Sequence, residues 1–257
     1  MPDQTPPVVI GVLGSSGGLG ASTLTVALAL TAARRGASAV AVDLDVTGGG
    51  LDVTACVEHL PGLRWGDLAQ ARGVIDGEAL LGELPTVAGA RVLAAGPPGA
   101  ITPGSSLVSG VLASLEAAAD LVAVDLPARS ATEQGLRLCD AVVVLAGASA
   151  RHLADTTAVV TRAMRHSPHL WLLVREGGRS SELSEVLAAH LDLPLIGSWS
   201  EDPRLRADAE RGRPAGEHPR SGLSVLCERV LLDLGWHGSE RESQPTGMFA
   251  RRGGVGR

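Results

Sequence analysis

The sequence contains no lysine, no tyrosine and no asparagine, and a single phenylalanine. Without tyrosine there is no phenol to donate a proton, and without lysine there is no ammonium for phosphate contact or Schiff-base chemistry. Alanine, glycine, arginine and leucine are abundant instead, a composition expected of strong GC pressure on codons, so arginine in place of lysine on the surface carries no functional weight. Cysteine is scarce: Cys56, Cys139 and Cys227 are scattered and odd in number, which excludes a disulfide framework and a cysteine-built metal site. Long apolar runs are missing too. Stretches such as "LVAVDLP" and "AVVVLAG" are strand-length and far short of a membrane span. The opening "MPDQTPP" is polar and proline-rich rather than a secretion leader, so a cytoplasmic protein is expected. A net charge of −6 leaves no general basic surface, and direct, specific nucleic-acid binding is not expected.

What is present is alternation. Short, almost continuous apolar runs at Val8–Leu13, Ala39–Asp43, Arg91–Ala94, Leu121–Asp125, Ala141–Leu145, Leu170–Val174 and Pro194–Ser198 read as strands buried on both faces. Between them, apolar residues at helical spacing predict helices over Ser22–Arg35, Leu107–Ala119, Arg151–Arg165, Ser181–Leu191 and Gly222–Leu234, the last two capped by Ser180 and Ser221. This order predicts a doubly wound, mostly parallel α/β sheet with its ligand at the carboxyl ends of the strands. With 257 residues, one domain over 1–235 is expected, followed by a tail over 236–257 that loses all periodicity.

The first strand empties into "GSSGGLGAST", a glycine-rich turn leading into a helix. Two phosphate loops fit that spacing. Gly14, Gly18 and Gly20 match the G-x-x-x-G-x-G pattern of short-chain dehydrogenases, with Asp43 placed for a ribose hydroxyl. That family's chemistry relies on a tyrosine and a lysine, and neither exists here, so an NAD(P)-binding Rossmann protein is the distant alternative. Aligned on "GGLGAST", the stretch instead resembles the deviant Walker A motif of the MinD/ParA superfamily, K-G-G-x-G-K-[ST]-[ST]. Gly17, Gly18, Gly20, Ser22 and Thr23 match; Ser16 and Ala21 stand where the two lysines belong, and Ser15 replaces the first glycine.

Further landmarks follow in the superfamily's order. "VAVDLDVTGGGLD" resembles its switch I strand, "ADLVAVDLPA" its Walker B strand, and "LDLPLIGSWSEDPRLRADAERGRP" its late strand–helix segment. Together with "CDAVVVLAGASARHLADTTAVV" they span about Val8 to Leu234. "GGLGASTL" and "GLRWGDLAQARGVIDGEALLGELP" are most similar to the CpaE/TadZ branch, including the septum-site-determining Ssd-like proteins. The resemblance implies a P-loop NTPase fold, ATP or ADP with Mg²⁺ as cofactor, and a homodimer. It implies as partners the division or Tad-type pilus and secretion machinery, with peripheral contact at the inner face of the membrane. It places Ser16, Gly17, Gly18, Leu19, Gly20, Ala21, Ser22 and Thr23 around the phosphates, Ser22 and Asp125 at the metal, Asp45 beside the attacking water, and Arg175 near the adenine, where the family usually has asparagine.

Backbone amides from Gly17 to Ser22 and the amino end of the following helix make an anion nest that needs no side chain. The missing lysines weaken it: a charge-assisted bond to phosphate contributes about 1.5–3 kcal/mol, or roughly ten- to hundredfold in affinity. Hydrolysis suffers more, because phosphoryl transfer depends on cations at the transferring group. The expectation is weak nucleotide binding with little or no ATPase activity, a slow but genuine ATPase being the alternative; Arg129 and Arg151 are the candidate replacement cations. Blander uses of the same residues remain open. The loop also fits a tight turn with no ligand, Asp43 a structural cap, and His166 with His169 a solvated turn.

Overall fold

The computed structural model describes residues 8–46, 50–69, 71, 74–96, 103–128, 133–167, 169–176 and 181–238. Strands β1 (Val9–Gly14), β2 (Ala39–Asp43), β3 (Thr86–Val87), β4 (Ala90–Leu93), β5 (Leu121–Leu126), β6 (Ala141–Gly147), β7 (Leu170–Glu176) and β8 (Leu195–Ser200) form one eight-stranded sheet in the order β3-β4-β2-β5-β1-β6-β7-β8. Every pairing is parallel except the short hairpin β3–β4 at one edge. The anticipated strands all form, and β3 is additional; at two residues it offers no alternation to read.

Parallel strands need crossovers, and the crossovers supply the helices that cover both faces. The longer ones are α1 (Ala21–Arg34), α5 (Ser105–Ala118), α7 (Ala150–Ala163), α8 (Ser181–Leu191) and α10 (Gly222–Asp233). Short helices α2 (Leu51–Thr54), α3 (Trp65–Leu68), α4 (Gly77–Glu83), α6 (Glu133–Arg137) and α9 (Pro203–Ala209) fill the connections. Ser221 caps α10 as expected, its hydroxyl accepting from the Ser224 amide. Ser180, the expected cap of α8, lies outside the described residues.

Alternation along each strand divides the core in two. Val9, Leu13, Val40, Val42, Val122 and Val124 pack under α5, α7 and α8, while Ile10, Val12, Ala39, Ala41, Ala123 and Leu173 pack under α1 and α10. The same parity sends Asp43, Asp125 and Arg175 to the α1 face, each at the carboxyl end of its strand.

Trp236 corrects the expected domain boundary. It is buried against the α1–α10 side, its indole N–H donates to the Asp120 carbonyl at 3.0 Å, and Arg35 lies over its ring. The packed domain therefore includes Trp236, and the remainder of the expected tail, from residue 239, lies outside the described residues. No helix among the described residues is long and apolar enough to cross a membrane.

Candidate functional site

β1 lies in the interior of the sheet between β5 and β6, so the chain leaving it at Gly14 emerges at the middle of the carboxyl edge. The Ser15 amide still bonds back to the Leu145 carbonyl of β6 at 2.9 Å; beyond it the chain turns through Ser16–Gly20 into α1. Gly18 and Gly20 take φ of +81° and +100°, where residues bearing a Cβ are strained. Leu19 points into the core below α1 and pins the loop, whereas Gly17 and Gly18 are exposed. Gly20 caps α1 with no side-chain hydrogen bond, which leaves the helix's first amides for another acceptor.

Two hydroxyls inside this turn are orphaned. Ser15 is only 6% exposed, and its Oγ, like that of Ser16, is buried without a hydrogen-bond partner among the described residues. Buried polar atoms are seldom left unpaired unless a ligand, ion or water meets them. Ala21 and Thr23 are half-buried in the first turn of α1, with Ser22 between them.

On the β5 side of the loop stand the acids. The Ser22 hydroxyl donates to the Asp125 carboxylate, and Asp43 lies directly across the β2–β5 pairing from Asp125. Burial pushes the Asp125 carboxyl up to about 7; the Ser22 bond opposes this, while the nearby Asp43 and Asp45 charges add to it. Asp45 follows the strand and is half-buried. No group of three or more His, Cys, Asp or Glu side chains among the described residues is arranged to hold a metal ion alone. Mg²⁺ fits such a site only as it usually binds, through one or two protein oxygens completed by phosphate oxygens and water.

Asp43 has a different job. Its carboxylate accepts the Leu51 amide at 3.0 Å and the Ala95 and Asp45 amides, while the buried Trp65 indole donates to its backbone carbonyl at 2.6 Å. Burial raises its carboxyl above the usual range, and these amide bonds oppose the rise. Asp43 thus ties β2 to α2 and to the end of β4, the structural cap left open by the sequence. Asp43→Ala should lose about 2–3 kcal/mol by stranding the amide donors of Leu51, Ala95 and Asp45, and Asp43→Asn, which keeps an acceptor, much less. Urea unfolding distinguishes them; equal losses would show that charge rather than hydrogen bonding matters.

The β6 side of the loop carries the opposite charge. Arg175, at the end of β7, lays its guanidinium over the Trp199 ring, 3.9 Å from the centroid. Trp199, opposite it on β8, reaches back to the loop, so that a Cβ on Gly20 would stand 3.0 Å from its Cη2. Burial lowers the Arg175 pKa against the opposing influence of Glu201, and Nη1 is buried without a hydrogen-bond partner. Sequence reasoning missed Trp199, although a tryptophan ending a strand in "IGSWSEDP" was the available signal.

Of the candidate replacement cations, Arg151 lies exposed in the first turn of α7, and Arg129 falls outside the described residues. His166 does not pair with His169 as a ligand set; it faces Glu133 and Arg137 of α6.

A glycine-capped loop at the middle of a parallel sheet, acids on one side and a hydroxyl in its first helical turn, defines a phosphate-loop NTPase fold of the MinD/ParA type. A ParA-family ATPase from Chlorobium tepidum superposes with a TM-score of 0.76 at 15% identity, over 88% of this chain and 98% of that one. The septum-site-determining protein MinD of Pyrococcus horikoshii, solved with Mg-ADP, gives 0.72 at 20% identity over 88% and 95%. A chain of the MinC:MinD cell division protein complex of Aquifex aeolicus gives 0.69 at 16% identity over 90% and 97%. In sequence, uncharacterized proteins of Mycobacterium tuberculosis strains H37Rv and CDC 1551 are 34% identical over 242 residues, covering 92% of this chain. The chain spans 66% of the length of those relatives. No family model matches the chain.

Proposed function

We propose that the chain is a MinD/ParA-superfamily protein of the CpaE/TadZ and Ssd-like branch. In this reading it is a spatial regulator or scaffold for division-septum or Tad-type pilus machinery, assembling as a homodimer. Its loop holds ATP or ADP with Mg²⁺ weakly and hydrolyses little. The observation that carries the nucleotide part is the buried, partnerless Ser15 hydroxyl inside a loop whose helix is capped by glycine alone. A turn retained only for structure has no use for orphaned donors beside bare helix amides.

The residues present fit the implied group. Gly17, Gly18 and Gly20 would let phosphate approach the amides, Ser22 and Asp125 stand together and would hold Mg²⁺ and its water shell, and Asp45 follows the adjoining strand. Bound Mg²⁺ would neutralise phosphate charge; the chain would contribute position, amide dipoles, the Ser22 hydroxyl as a ligand and the Asp125 carboxylate to the metal's water shell. What it lacks is cationic stabilisation of a transferring phosphoryl group, because Ser16 and Ala21 carry no charge.

Calorimetry with Mg-ATP, Mg-ADP and NADH, alongside sizing for a dimer, tests the proposal. Binding of the adenine nucleotides with Mg²⁺, no binding of NADH, and negligible turnover are expected, with Ser22→Ala weakening the Mg²⁺-dependent part of the affinity. ATP turnover that disappears in Asp45→Ala would instead establish a working ATPase, and binding of NADH alone would establish a dinucleotide fold.

A further inference from the structure

The loop has lost both cations of its motif, yet an unsatisfied one stands beside it. We propose that Arg175 is the phosphate-facing cation of the glycine loop, presented by Trp199, an assignment that rests on the anion-binding reading of that loop. Parity puts Arg175 and Trp199 on the same face of the sheet as α1, and the parallel register sets them opposite one another on β7 and β8. Trp199 bridges the remaining gap: one side of its ring meets Gly20, the residue capping α1, and the guanidinium lies on the ring face.

A guanidinium flat on an indole keeps its N–H donors around its rim, so stacking orients the group without consuming its hydrogen bonds. One of those donors, Nη1, is buried with no acceptor among the described residues. Glu201 is the carboxylate whose charge acts on Arg175, and it supports the cation rather than occupying Nη1. Other buried or nearby arginines are committed elsewhere or lie on the other face of the sheet. Arg34 holds the Gly216 carbonyl and the Thr31 hydroxyl, and Arg64 the carbonyls of Val57 and Leu60; Arg162 holds the Ala128 carbonyl and also has a buried, partnerless Nε, but it sits on α7, across the sheet from α1 and the loop. The orphaned Ser15 hydroxyl and the orphaned Arg175 Nη1 are then two donors awaiting the same anion, one within the loop and one beside it. Asp43 and Asp125 lie on the opposite side of β1, which separates the metal side of the ligand from its cationic side.

The test compares Mg-ADP, inorganic tripolyphosphate and adenosine as calorimetric ligands for wild type, Arg175→Ala and Arg175→Lys, with urea unfolding confirming that each variant is folded. Arg175→Ala should weaken Mg-ADP and tripolyphosphate alike, by about ten- to hundredfold, and leave adenosine unchanged. Arg175→Lys should recover part of the loss, because it restores charge without the planar donors. Trp199→Leu, which removes the platform but not the charge, should weaken tripolyphosphate in the same direction. Wild type that binds both phosphate ligands while Arg175→Ala binds them equally well overturns the assignment and spares the loop. A loss seen with adenosine but not with tripolyphosphate also overturns it, making Arg175 a base contact. Wild type that binds neither phosphate ligand overturns the loop reading and this inference with it.

Discussion

Gly20→Val should cost about 3 kcal/mol or more of stability and abolish anion binding at the loop, while Gly17→Ala in the same turn should cost little. Gly20 sits at φ +100°, and a Cβ there would lie 3.0 and 3.1 Å from Cη2 and Cζ3 of Trp199. A β-branched residue at such a φ is strained by about 1–3 kcal/mol before any clash is counted. The clash cannot be relieved cheaply, because Trp199 is 4% exposed, packed in the α1 core and carrying Arg175 on its face. Moving the ring therefore disturbs the loop, the core and the cation together. Nothing stands within 4 Å of a Cβ at Gly17, so alanine fits there without a clash. Urea midpoints measure both variants, and tryptophan fluorescence reports whether Trp199 has moved. Equal midpoints for Gly20→Val and wild type would mean that the loop does not pack on Trp199 as described.

The contrast between those glycines shows what the sequence could convey. "GGLGAST" announced a phosphate-type turn between a strand and a helix, and the strand runs announced a parallel α/β sheet, because both depend on local pattern. The long helices were legible for the same reason. The short helices α2, α3 and α4 were not, since four to seven residues make too few turns to show a period and are held by tertiary contacts. Asp43 illustrates the limit at the site. Only its Asp45 amide bond is local; the Leu51 and Ala95 amides reach it through the folded β2–β4 edge, so most of what makes it a structural cap had no local signature. Arg175 was picked out by its place at a strand end, but its stacking on Trp199 depends on the β7–β8 register, which shifts between Leu172 and Leu173 and cannot be read from spacing.

The second large effect concerns Asp125 and has a definite sign. Its carboxyl stands at about 7 in the fold against a reference value of 3.8, chiefly because burial disfavours the charged form. A group with a raised folded pKa binds more protons folded than unfolded between those two values, so stability falls as pH rises through that window. The protein should consequently carry little penalty from Asp125 near pH 4 and the whole of it above neutrality. At about 1.4 kcal/mol per pKa unit, a rise from 3.8 to about 7 corresponds to a loss on the order of 4–5 kcal/mol. Asp125→Asn, which cannot ionise yet still accepts from the Ser22 hydroxyl, should remove the pH-dependent part. The variant should match wild type near pH 4 and exceed it in urea midpoint at pH 8. Asp43 and Asp45 sharpen the contrast, because their charges oppose ionisation of Asp125 and the amide escapes that repulsion. Midpoints that run parallel for the two proteins from pH 4 to pH 8 would show that Asp125 is ionised at little cost, and would remove the electrostatic tension assigned to this end of the sheet. If the proposed function holds, a divalent cation delivered with phosphate at the Ser22–Asp125 pair would offset the cost of ionising Asp125, and the pH-dependent penalty would shrink with Mg-nucleotide bound.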